Sequence, residues 1–225
     1  MLRILAIAAA ALLAVNAPGV TTHAESVPSN DGTETPEFAV QAEGPDGIAV
    51  RRYEPMIEAY TTVEAPDARS AANKAFMTVA GYIFGANEGA NGSQKISMTA
   101  PVKTTSGTRI DMTAPVQTSG RNTLDEDGPY TIAFVMPSKW TLDTLPKPTD
   151  EAVKLRAVPR EVVAVLPFTG ERDPKAIAEL ETRLRLWLGE NDWTVLGAAR
   201  LAGYDGPSVP SAERRYEVMI PVSKT

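Results

Sequence analysis

"KISMTAPVKTTSGTRIDMTAPVQT", residues 95–118, states one phrase twice. Lys95 to Thr104 reads K-I-S-M-T-A-P-V-K-T, and Arg109 to Thr118, fourteen residues on, reads R-I-D-M-T-A-P-V-Q-T. At period two the first copy puts Ile96, Met98, Ala100 and Val102 on one face; the second does the same with Ile110, Met112, Ala114 and Val116. Thr105-Ser106-Gly107 between them is turn chemistry. With a turn centred on Ser106, Val102 faces Ile110, Ala100 faces Met112, Met98 faces Ala114 and Ile96 faces Val116. Each large side chain then meets a smaller or branched one. The repeat therefore predicts two matched strands of a hairpin rather than two catalytic motifs, with Met98 and Met112 filling the core. Pro101 and Pro115 each delete a ladder donor, which predicts a sheet margin, bend or bulge.

Outward from this stretch the chain divides into two halves of similar order. Ile48–Tyr53 and Met56–Glu64 are strand-like, and Pro66-Asp67 opens a helix. Ala68, Ala72, Ala75, Phe76, Val79, Ala80 and Ile83 give that helix one apolar face. Tyr130–Met136 closes the first half. In the second half Glu161–Phe168 is a strand, Asp173 can cap a helix with Pro174 at its first position, and Ile177, Leu180, Leu184, Trp187 and Leu188 form a stripe. That stripe is read as core in preference to a partner groove. Ala198–Ala202 and Tyr216–Val222 follow as strands. The order β-α-β-β occurs twice, which predicts a duplicated α+β fold.

Composition narrows the function. The 225 residues are 43% hydrophobic and 22% charged, with a formal charge of −6, so no clustered basic face suggests nucleic acid. Met1-Leu2-Arg3 precedes an apolar run of 12 residues, Ile4–Val15, and small residues end at Ala24. This reads as a signal peptide over 1–24, placing the mature protein in a periplasm or outside the cell. Residues 25–37 are polar, with Pro and Gly, and read as a disordered tether before a domain at 38–225. There is no cysteine, and the one histidine, His23, lies at the cleavage point. A serine–histidine–aspartate triad, a histidine-ligated zinc and a histidine-ligated haem are thereby excluded from the domain. Glu54, Glu58, Glu64 and Asp111 show no spacing that singles out a catalytic pair, so the chain reads as non-enzymatic.

Four ordered motifs carry a resemblance. Lys95–Val102, its second copy, Ala133-Phe134-Val135-Met136-Pro137-Ser138, and Tyr204-Asp205-Gly206-Pro207 followed by Arg214–Pro221 resemble the hallmarks of the SOUL haem-binding family, over about Phe38 to Val222. The resemblance implies duplicated β-α-β-β units in a curved antiparallel sheet or distorted β-barrel with two flanking helices. It also implies a haem or other porphyrin held in an apolar groove beside the first helix, without histidine ligation. By position on that helix, Lys74, Met77, Tyr82 and Phe84 are the candidate contacts. Arg52 is the candidate propionate partner, with Arg51, Arg214 and Arg215 as further choices. The alternative is a general binder of small lipophilic ligands, with a carboxylate inside the cleft. A protein-interaction module is the third class.

Overall fold

The computed structural model describes residues 25–28, 33–64, 68–90, 92–106, 130–206 and 208–225. The strands in chain order are β1 (Phe38–Glu43), β2 (Ala49–Tyr53), β3 (Met56–Val63), β4 (Asn87–Glu88), β5 (Val102–Ser106) and β6 (Tyr130–Val135). They continue as β7 (Lys147–Pro148), β8 (Lys154–Val158), β9 (Glu161–Thr169), β10 (Trp193–Val195), β11 (Arg200–Gly203) and β12 (Arg215–Lys224). Helix α1 spans Ala68–Ile83 and α2 spans Pro174–Glu190. β4 and β7 pair only with each other, while the other ten strands form one strongly curled antiparallel sheet.

The sheet order makes the duplication visible. From one edge it runs β8-β3-β6-β5, and from the other, inside β1, it runs β2-β9-β12-β11. The two runs meet where β5 pairs β11. Each half lends one strand to the other: β2 pairs β9 and β8 pairs β3. Both helices cover one face. α1 lays Ala75, Val79, Tyr82 and Ile83 against Ala59, Ile132 and Phe134. α2 lays Ile177, Leu184 and Leu188 against Val50, Ala164, Val218 and Ile220, with Trp187 packed on the same cluster. β9 is apolar at nearly every position because α2 covers one face and the curl of the sheet encloses the other.

The expected hairpin is corrected on the residues described. Lys95–Pro101 is not a strand, and β5 begins only at Val102. Val102 lies opposite Phe134 on one side and Gly203 on the other, so no ladder position is left for Ile110. The second copy, 109–118, lies outside the described residues. Pro101 has no N–H for a ladder, and the polar groups before it are satisfied elsewhere. The Ile96 N–H donates to the Ile83 carbonyl (2.9 Å), the Ala100 N–H to that of Glu34 (3.0 Å), and the Thr99 hydroxyl to that of Val135.

The stretch read as a tether also differs where it is described. Glu25 and Phe38 exchange backbone hydrogen bonds of 2.7 and 2.8 Å, and the Thr35 hydroxyl donates to the Val27 carbonyl at 2.9 Å. These residues are polar by sequence, yet the edge of β1 and the neighbouring loops offer their backbone partners. The signal-peptide reading, 1–24, falls outside the described residues.

Candidate functional site

Each helix covers its own half of the sheet, so the central strands β5 and β11 lie between them. On the helix-bearing face this leaves a groove of about 450 Å³. Its floor is Val102, Thr104, Ile132, Leu201, Gly203 and Tyr216, and α1 supplies Ala72, Asn73 and Phe76 along one side. Phe76 packs at 5.5 Å on Phe134, and Tyr216 stacks on Phe168 at 5.3 Å, so both aromatic walls are held from behind. At Gly203 a Cβ would come within 3.3 Å of the Tyr216 ring, so a bare backbone lets the floor close.

Two guanidiniums stand at this groove. Arg172 immediately precedes the N-cap of α2; it is exposed and has no ion-pair partner among the described residues. Arg214 immediately precedes β12, and its Nε donates to the Val209 carbonyl at 2.8 Å. The one acid lining the groove, Asp205, is matched by Arg215, whose Nη2 and Nε reach it at 2.7 and 2.9 Å. Met98 also lines the groove and is 39% exposed, which corrects its assignment to the core. The period-two pattern placed it inward only on the premise that its segment is a strand, which it is not.

The five residues chosen from sequence do not come together. Lys74 and Met77 lie on the outward side of α1 and Phe84 in the turn after it; Met77 is 68% and Phe84 61% exposed. Tyr82 belongs to the buried stripe and donates its hydroxyl to the Pro146 carbonyl (2.9 Å), and burial pushes its pKa up to about 12. Arg52 is on β2, in the other half of the sheet. Of the further propionate candidates, Arg214 lines the groove, Arg215 is bound to Asp205, and Arg51 points into the curl of the sheet. None of the five lines the groove, to which α1 contributes Ala72, Asn73 and Phe76 instead. Phe76 and Ala72 had been read as core.

The face opposite the helices carries charge; Glu58, Lys103 and Glu217 are buried there, while Arg156 is exposed. Glu58 accepts from Lys103 (3.0 Å) and from Arg156 Nε and Nη2 (2.9 and 2.6 Å). Lys103 also approaches Glu161 (3.6 Å), which pairs with Arg200 (2.9 Å). On the adjacent strands Arg51 Nη1 meets both oxygens of Glu217, at 2.8 and 3.0 Å, and the Tyr204 hydroxyl donates to Glu217 at 2.5 Å. Burial raises the Glu58 pKa, but Lys103 and Arg156 outweigh it and hold the carboxyl below its ordinary value. Burial, with Glu217 adding to it, pushes the Tyr204 phenol well above its ordinary range. Each carboxylate in the curl is therefore committed to cations of the chain itself.

A model of the SOUL heme-binding protein family matches residues 33–221. No curated relative matches the sequence. Among solved structures, the EcmrR C-terminal domain is 15% identical, with 83% of this chain and 99% of that one aligned at a TM-score of 0.57. A hydrolase from Listeria innocua is 10% identical over 81% of this chain and 94% of that one, with a TM-score of 0.52. An uncharacterised conserved protein from the same organism is 12% identical over 79% and 93%, with a TM-score of 0.53. At these identities the structural likenesses establish the fold alone.

Proposed function

Since the chain belongs to the SOUL heme-binding protein family, we propose that it binds a tetrapyrrole and seats the ring in the groove beside α1. The observation that carries this is the joint placement of an apolar trough between the helices and two guanidiniums, Arg172 and Arg214, on it. A porphyrin is a flat apolar body with carboxylates at one edge, and the groove's volume falls in the range of small-molecule sites. Phe76, Val102, Leu201 and Tyr216 would bury the ring, and the two arginines would hold the propionates through charge-assisted hydrogen bonds.

Bound haem would bring a redox-active iron. What this chain supplies towards that iron is slight: the domain has no histidine and no cysteine, and Met98 is the thioether on the groove. Affinity therefore rests on burial of the ring and on the arginines, and the protein acts as a binder rather than a catalyst. The apolar run at Ile4–Val15 and the small residues ending at Ala24 support export, so the site of action is a periplasm or the exterior.

Titration of the chain from residue 25 with haem and with metal-free protoporphyrin tests the reading. We expect saturable shifts of the Soret band with both, at affinities within about tenfold of each other. A preference for haem of several hundredfold would mean strong iron ligation and would defeat the burial account. Equal displacement by unrelated apolar dyes would replace the tetrapyrrole with lipophilic ligands in general. No binding of either porphyrin would end the proposal.

A further inference from the structure

A second hollow, of about 890 Å³, opens where β3 begins and β6 and β8 end. Met56, Ile57, Val135, Met136, Trp140 and Val158 are among its walls, so most of what a guest would touch is apolar. Its charged lining has one sign: Glu34, Glu37 and Glu54, with no lysine or arginine. Arg160 offsets Glu54 at 2.6 Å. The Glu34 carboxylate accepts from the Ser138 N–H (2.7 Å), and neither it nor Glu37 has an ion-pair partner among the described residues. Lys139 stands over the Trp140 ring at 5.4 Å but does not line the hollow.

We propose that this hollow binds an organic cation with an apolar body, such as a quaternary aromatic amine. Two uncompensated carboxylates beside a low-dielectric wall focus negative potential into the opening, which attracts a cation and repels an anion. The apolar walls then take the body of the guest, which a bare metal ion does not possess. The buried acids of the sheet interior cannot do this, because Glu58, Glu161 and Glu217 already face Lys103, Arg156, Arg200 and Arg51. The site stands apart from the tetrapyrrole groove in charge as well as place: arginines line one, glutamates the other, and Thr99 lies between them.

Berberine, a flat quaternary cation that fluoresces more strongly in apolar surroundings, is the probe, used on the full mature chain. Expected are saturable binding at one cation per chain and a loss of about fivefold or more in Glu34→Gln/Glu37→Gln. That variant keeps the haem titration of the parent. In a second variant Leu142→Arg, at a 43% exposed position on the hollow, a new cation weakens berberine with both glutamates intact. An anionic dye of similar size, anilinonaphthalene sulfonate, should bind the parent more weakly than berberine. The proposal is overturned if berberine does not saturate, if neither variant weakens it, if the anionic dye binds equally well, or if haem displaces berberine one for one.

Discussion

Arg172 tests the groove with little risk to the fold, since it is exposed and has no ion-pair partner among the described residues. Arg172→Gln should weaken porphyrin binding about fivefold, and less so at high salt, while leaving thermal unfolding unchanged. A Soret titration at two ionic strengths reads this directly. Lys103 behaves in the opposite way. It is 4% exposed and bridges Glu58 and Glu161, so Lys103→Met leaves buried carboxylates short of a partner. A loss of about 3 kcal/mol in urea unfolding is expected. The pH dependence has a definite sign. The Glu58 pKa is lowered in the folded state, so its contribution is full above the ordinary carboxyl value of 4.5 and fades as pH falls below it. Acid unfolding of Glu58→Gln should accordingly be shallower in that window. Neither residue's role was legible in sequence, where Glu58 was one acid among many and Lys103 one basic residue of a repeat.

At the scale of elements, α2 was read almost whole because its signals are local. Asp173 caps it, the Ala176 N–H donating to its carboxylate at 3.1 Å, with Pro174 following at the first position. Asp173→Ala should cost about 1 kcal/mol by urea unfolding. The contact of α2 with the chain before β2 is steric. A Cβ on Gly44 would lie 2.7 Å from the Trp187 indole, so Gly44→Ala should cost about 1 to 3 kcal/mol. That cost should shrink when Trp187 is also made Ala, which a double-mutant cycle measures. β1 and β8 were missed. Short edge strands with mixed polarity exist because a neighbour offers a ladder, and no periodicity within Lys154–Val158 announces it. The start of β5 was misjudged for a related reason: the segment before it finds its hydrogen bonds with Glu34, Ile83 and Val135.

For the whole molecule, the exchange of β2 and β8 between halves makes the fold a single cooperative unit. Residues 33–143 contain β3 without its partner β8, and 144–225 contain β9 without β2. Each fragment alone should lack stable structure, and mixing the two should restore the far-ultraviolet dichroism of the intact chain. Stable folding of either fragment by itself would contradict this account. The groove needs both halves as well, through the pairing of β5 with β11, since Phe76, Val102 and Ile132 come from one half and Arg172, Leu201, Arg214 and Tyr216 from the other.

Local pattern and composition determined a duplicated α+β chain, both helices with their buried stripes, most of the longer strands and the exclusion of histidine and cysteine chemistry from the domain. These features are written in the side chains of neighbouring residues, through periodicity, capping and arithmetic. Only tertiary structure decided which side of α1 faces a hollow, that Met98 lies on it, and that Arg172 and Arg214 stand together there. Such meetings depend on β5 lying against β11, a pairing between residues about a hundred positions apart. No spacing along the chain encodes a groove whose walls are set by which strand closes the gap between two halves.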